Sequence, residues 1–241
     1  MNLILYHSLR STCSQKVRLC LAEKRCRYEE VRLNLARFEH HQPDYLRLNP
    51  NGYVPTLVHD GVPLIESTPI NEYLDETLSN RPLVPNTPGA RHAMRVWTKF
   101  IDETCLPAVV VPTWSQFLAP AVKSMTDDER DAALARVPLP ERKDRWAKIA
   151  TDGFSEQEFR DALAKLHFMA ERLEAALKER EWLVGSDISL ADINILPYVR
   201  RAREIDASIL DPEKRPRLNV WLQRMRARDS YSEVYAELEA A

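Results

Sequence analysis

Four consecutive residues, Ser11-Thr12-Cys13-Ser14, put three hydroxyls and a thiol in a row. Before them runs Leu3-Ile4-Leu5-Tyr6, an apolar segment that reads as a strand. After them Val17-Arg18-Leu19-Cys20-Leu21-Ala22-Glu23-Lys24 reads as an amphipathic helix, with Ser11 or Thr12 as its cap. A strand, a short loop and a helix start leave backbone N–H groups unpaired at the positive end of a dipole. Such a corner holds an anion and lowers the pKa of a thiol placed there. Serine and threonine also cap helices in any fold, and cysteine is a common small core residue. The stretch therefore gains meaning only from residues further along the chain.

Two later stretches could hold a ligand beside that corner. In Tyr53-Val54-Pro55-Thr56-Leu57-Val58 a strand opens on a proline, which cannot donate to a ladder. A cis Val54-Pro55 bond would turn the Val54 N–H and C=O outward, free to pair with an extended peptide; an ordinary trans edge proline is the alternative. In Glu66-Ser67-Thr68-Pro69 the spacing predicts a helix capped by Ser67, with Pro69 in its first turn. That helix start suits a carboxylate, and Glu66 beside it suits an ammonium, a pairing that fits an α-amino acid. A plain capped helix is the bland reading of the same residues.

The elements that must position these groups follow from patterning. Cys26 to Leu33 reads as a second strand, making a βαβ unit with a parallel pair. Phe38 to Pro50 reads as a short helix closed by proline, and Asn49-Pro50-Asn51-Gly52 as a turn. His59-Asp60-Gly61-Val62 is a hairpin turn leading to the strand Pro63-Leu64-Ile65. The proline-dense stretch 81–89 reads as a linker. It separates a unit at 1–80 from an all-helical unit at 90–241. In the latter, a long helix from Ala90 to about Ala119 is expected to bend at Pro107 and near Pro112. The charged stretch from Ala119 to about Phe154 reads as a loop with short helices, and 156–179 as a strong amphipathic helix. Ser189-Leu190-Ala191-Asp192 has the form of a capping box, which serves fold stability. Helices are also expected at 216–228 and 231–238.

Bulk composition narrows the function classes. The 241 residues are 44% hydrophobic and 29% charged, which is ordinary for a globular protein. A net charge of −2 gives no support for nucleic-acid or membrane-surface binding. No signal peptide and no apolar run of membrane-span length is expected. Cys13, Cys20, Cys26 and Cys105 show neither disulfide nor zinc-ligand spacing, so they read as free thiols in a reducing cytoplasm, with no metal site.

Taken together, S-x-C-S-x-K-V-R, N-P-x-G-x-V-P-T-L, E-S-T-x-I and S-L-A-D-I resemble the glutathione transferase superfamily over nearly the whole chain. The resemblance implies a thioredoxin-like α/β N-terminal domain, an all-α C-terminal domain and glutathione as co-substrate. Ser11-Thr12-Cys13-Ser14 is similar to the Ser-Ser-Cys site of zeta-class enzymes. His40 and His41 fall where phi-class enzymes hold the glycine end of glutathione. The stretches 94–103 and 137–146 resemble the bacterial β-etherase branch, which cleaves aryl ethers with glutathione and has a serine at the position of Ser14. A free thiol of this kind has a pKa of ~8.5, and a hydroxyl donor with a helix start could lower it by roughly two units, about 2.7 kcal/mol.

On this resemblance Ser11 is the first choice of donor to the sulfur and Ser14 the second. The Val54 backbone, positioned by Pro55, pairs with the cysteinyl part. Glu66 and Ser67 hold the γ-glutamyl end, and His40, then His41, the glycyl carboxylate. A small electrophile would lie between the domains against Phe100, Trp114 and Phe117, although aromatics on a long helix are more often plain core. The basic run Arg142-Lys143-Arg145-Lys148 reads as a solvated face, with recognition of an anionic substrate the alternative. The family implies a detoxification-type transferase and a homodimer through the first and fourth helices. Two other readings remain: a thiol oxidoreductase using Cys13, and a glutathione-fold binding protein without turnover.

Overall fold

The structure, a computed structural model, describes residues 2–240. The N-terminal domain contains β1 (Leu3–His7), α1 (Thr12–Glu23), β2 (Glu29–Arg32), α2 (Pro43–Leu46), β3 (Thr56–His59), β4 (Val62–Ile65) and α3 (Ser67–Thr77). The sheet order is β2-β1-β3-β4, with β1 parallel to β2 and antiparallel to β3. Leu5, at the sheet centre, pairs with Glu30 on one side and Leu57 on the other. The second strand is shorter than expected. The region expected as one helix from Phe38 to Pro50 is instead a 3-10 turn, Glu39–His41, followed by α2, and a second 3-10 turn, Leu35–Arg37, precedes it. Gln42 breaks that path with extended backbone, and Pro43 starts the new helix.

The C-terminal domain is all helical. α4 (Pro88–Phe100), α5 (Leu106–Thr113) and α6 (Ala119–Lys123) are joined by π turns at Ile101–Cys105 and Trp114–Leu118 into one 36-residue helix. Pro107 has no N–H to give, and just before it the Leu106 N–H reaches five residues back to Ile101. The prolines thus distort the helix without ending it. By length and composition this helix could cross a membrane, contrary to expectation. Here it packs against two later helices, α9 (Glu156–Ala176) and α10 (Leu190–Ile205).

The stretch expected as a loop carries two full helices, α7 (Asp127–Ala135) and α8 (Pro140–Ala150). Thr126 and Glu129 start α7 with a capping box, and Pro140 starts α8. α11 (Pro216–Arg226) and α12 (Asp229–Glu239) complete the chain.

The domains are locked together by buried polar contacts. Lys16 of α1 is fully buried and donates to Thr68 at 2.6 Å and to Asp102 of the long helix at 2.9 Å. Asn71 of α3 donates to Asn194 of α10 at 2.6 Å. The Asp192 carboxylate accepts from the N–H groups of Ser189 and Leu183, the Ser189 hydroxyl and the Trp221 indole. The expected capping box at Ser189 is therefore present and also ties α10 to α11.

Candidate active site

The β1–α1 corner separates the three candidate groups. Ser11 is the N-cap of α1; its Oγ accepts from the Ser14 N–H at 3.2 Å, and its own O–H has no acceptor among the described residues. The hydroxyl is half-buried, so its proton is available to a ligand at the helix start. Ser14 has no exposed surface, and its Oγ accepts the Ser8 N–H at 3.3 Å. Ser14 therefore braces the loop and is closed to a ligand, which corrects its place as second donor. Cys13 is half-buried, with Sγ 3.5 Å from the Tyr198 hydroxyl of α10. Burial, followed by the nearby Cys13, pushes the Tyr198 phenol well above its usual range.

The peptide-pairing edge is present. The Val54-Pro55 bond is cis, and the Val54 backbone groups make no hydrogen bond among the described residues. The turn before it is fixed in several ways. Asn49 donates to the Tyr53 carbonyl at 2.9 Å, and the Tyr45 hydroxyl donates to the same oxygen. Gly52 has φ +63, and a Cβ there would lie 2.7 Å from the His41 ring. Only glycine fits that position.

Helix α3 begins one residue earlier than a Ser67 cap requires. Glu66 is the N-cap residue, with φ +69, and Ser67 is the first helical residue. A non-glycine residue in the left-handed region is uncommon and clusters at binding sites. The result keeps the Ser67 and Thr68 N–H groups at the helix mouth and leaves the Glu66 carboxylate exposed beside them.

Comparison with known proteins places the fold that carries this corner. The N-terminal domain model of glutathione S-transferases matches residues 1–76, and their C-terminal domain model residues 120–229. The chain belongs to the glutathione S-transferase family. Protein LigF of a Sphingobium strain is 33% identical over 98% of this chain and 93% of that protein. The crystal structure titled beta-etherase LigF from Sphingobium superposes with a TM-score of 0.92, covering 98% of this chain and 100% of that one at 32% identity. A probable maleylacetoacetate isomerase of Vibrio cholerae is 28% identical over 98% of this chain and 97% of its own. The chain is thus an enzyme with the transferase fold, in a family that uses glutathione as co-substrate.

In this transferase the histidine pair does not stand open to a ligand. His40 and His41 are 1% and 0% exposed, and their ring nitrogens have no hydrogen-bond partner among the described residues. Trp146 of α8 packs 4.3 Å from Phe38, whose ring is stacked on His40. The helices at 127–150 thus cover the loop. Burial, then Arg142 and Arg136, lower His41 to about 4; burial, then His41 and Arg142, hold His40 well below its usual value. Neutral, sealed imidazoles make poor carboxylate receptors, which corrects the expected role of both. The motif likeness ended at the loop, and the cover comes from a segment about a hundred residues later.

The three wall residues separate likewise. Phe100 turns to α9, edge-on to Phe168 with Arg172 above it at 4.1 Å, and so belongs to the core rather than the cleft. Phe117 is half-buried beside the corner, held between Arg10 at 4.8 Å and Arg201 at 5.0 Å. Trp114 lies under Arg142 at 4.8 Å and Arg145 at 5.4 Å. The basic run is therefore split. Lys148 pairs with Glu158 at 2.7 Å, whereas Arg142 points at the cleft side and rests on Tyr53 at 4.5 Å. The run was visible in the sequence; its division between solvent and cleft depends on the α8 register.

Helix α1 cannot serve a subunit interface. Every residue from Thr12 to Glu23 except Cys13 is buried, against α3, α10 and α12. The expected contact through the first helix is thereby excluded.

Proposed function

We propose that this enzyme binds glutathione along Val54 and the α3 start, activates its thiol through Ser11, and directs the thiolate at a small hydrophobic electrophile, with aryl ethers the favoured class. The observation that carries this reading is the Ser11 hydroxyl, half-exposed at the start of α1 with its proton uncommitted. Hydrogen bonding to the anion and the helix dipole both favour thiolate. The γ-glutamyl α-carboxylate fits the open N–H groups at Ser67 and Thr68, and its ammonium the exposed Glu66. In the reaction the sulfur lone pair forms a C–S bond, the C–O bond breaks, and its electron pair leaves on the aryl oxygen. The protein contributes orientation and thiol activation. The ether class is supported by likeness to a protein titled a beta-etherase.

Members of this family typically pair, and a homodimer is part of the reading, with α4 in place of α1 as the element at the interface. Ser11→Ala tests the central step. Ultraviolet titration of bound glutathione should show the thiol pKa rising by about one unit, the helix start still acting, and turnover at pH 6.5 should fall by up to about tenfold. An unchanged titration curve would remove Ser11 from the chemistry.

A further inference from the structure

Arg142 and Arg145 are the half-buried members of the basic run that have no carboxylate partner among the described residues, and Arg142 is the one that reaches Tyr53 as well as Trp114. Its guanidinium lies between two aromatic rings, 4.5 Å from the centre of Tyr53 and 4.8 Å from that of Trp114. Its Nε is buried with no hydrogen-bond partner, and no carboxylate pairs with it among the described residues. Of the rest of the run, Lys148 is paired with Glu158, Lys143 faces solvent, and Arg145 lies over Trp114 alone, at 5.4 Å. Burying a guanidinium against rings alone costs desolvation that cation–π contact only partly offsets. An unpaired guanidinium stacked over two ring faces keeps its N–H fork for a carboxylate, which it can hold in bidentate fashion.

Its position limits the anion to one carried by the two reactants. Tyr53 immediately precedes the Val54-Pro55 edge, and Trp114 lies on the long helix three residues before Phe117. The Cys13 thiol is within electrostatic reach of the guanidinium. Arg142 therefore stands between the glutathione edge and the cleft wall. The two histidines on that side are neutral and sealed, so they leave a carboxylate on the reactants without a receptor.

We propose that Arg142 is the carboxylate receptor of this active site, contributed by α8 rather than by the N-terminal domain. The inference rests on the glutathione reading above. Its carboxylate comes either from the glycine end of glutathione or from the electrophile. Two matched pairs separate these sources: glutathione against its glycinamide form, and 4-chloro-3-nitrobenzoate against 4-chloro-3-nitrobenzamide. Affinity for each is measured by calorimetry at fixed ionic strength, for the natural protein, Arg142→Gln and Arg142→Lys.

In the natural protein one pair should show the anion bound about tenfold to hundredfold more tightly than its amide. Arg142→Gln should bring that ratio to about one, and the pair that responds identifies the source. Arg142→Lys, which keeps the charge but loses the fork, should keep only part of the preference. Each ratio compares two ligands on one protein, so a general loss of stability does not mimic the result. Ratios that are equal in natural and Gln proteins, or no preference for either anion, overturn the receptor. Failure of the natural protein to bind glutathione in either form instead overturns the functional reading, and the benzoate pair still judges Arg142.

Discussion

At the scale of single residues, the corner divides labour between two serines that look equivalent on paper. Ser11 keeps an available proton, whereas the Ser14 oxygen is committed to the Ser8 N–H inside the protein. Ser14→Ala should therefore leave the pKa of bound glutathione unmoved. It should lower unfolding free energy by about 1 kcal/mol, because the half-buried Ser8 N–H loses its acceptor. Urea unfolding and thiolate titration on one preparation check both halves; a shifted titration would return Ser14 to the chemistry. Cys13→Ser should retain glutathione conjugation and show no lost disulfide reductase activity, since the thiol faces the Tyr198 phenol instead of standing free. Abolished disulfide reduction in that variant would favour the oxidoreductase reading.

Among elements, what could be read beforehand depended on whether the signal was local. The βαβ unit, the hairpin, the Val54-Pro55 edge and the Ser189–Asp192 capping box each follow from adjacent residues, and each is present. The single-residue shift of the α3 start was not legible, because Ser67-Thr68-Pro69 fits a cap at either Glu66 or Ser67. The sealing of His40 and His41 was not legible either. It depends on Trp146, more than a hundred residues away, arriving from a stretch whose prolines read as loop. Phe100 and Phe117 lie on the same long helix, and the intervening π turns alter which face each presents.

The same elements make two local predictions. Gly52→Ala would combine left-handed backbone with a 2.7 Å approach to His41, so it should cost about 1–3 kcal/mol and weaken glutathione binding through the Val54 edge. Asp192→Ala would strip acceptors from buried N–H groups and the Trp221 indole at once, and should cost about 3–5 kcal/mol in urea unfolding. A loss below about 1 kcal/mol in the second case would show that the box is not holding α10 to α11.

For the whole molecule, the buried histidines set how it answers to acid. Burial, then Arg18, lowers His7 despite its 2.6 Å contact with Glu30, and His40 and His41 are lowered by burial and by nearby guanidinium groups. The unfolded chain takes up protons at these sites near pH 6.5, while the folded chain resists until lower pH. Unfolded molecules then bind more protons, so stability falls as pH drops below about 6.5. For His41, whose folded value is about 4, the loss is complete near that pH and amounts to at most roughly 3 kcal/mol. Above pH 6.5 both states hold neutral imidazoles and the contribution vanishes. Glu23 and Glu30 act in the same direction at lower pH. Burial opposes their charged forms, but Arg228 and Ser230 for Glu23, and His7 and Arg32 for Glu30, hold both below the usual carboxylate range. Urea midpoints measured at pH 7.5, 6.5, 5.5 and 4.5 should therefore decline steadily after the second point. His41→Gln should flatten that decline while changing the pH 7.5 midpoint little. A natural protein equally stable at pH 7.5 and 5.0 would mean that these rings reach water, and with them the cover that makes Arg142 the available receptor.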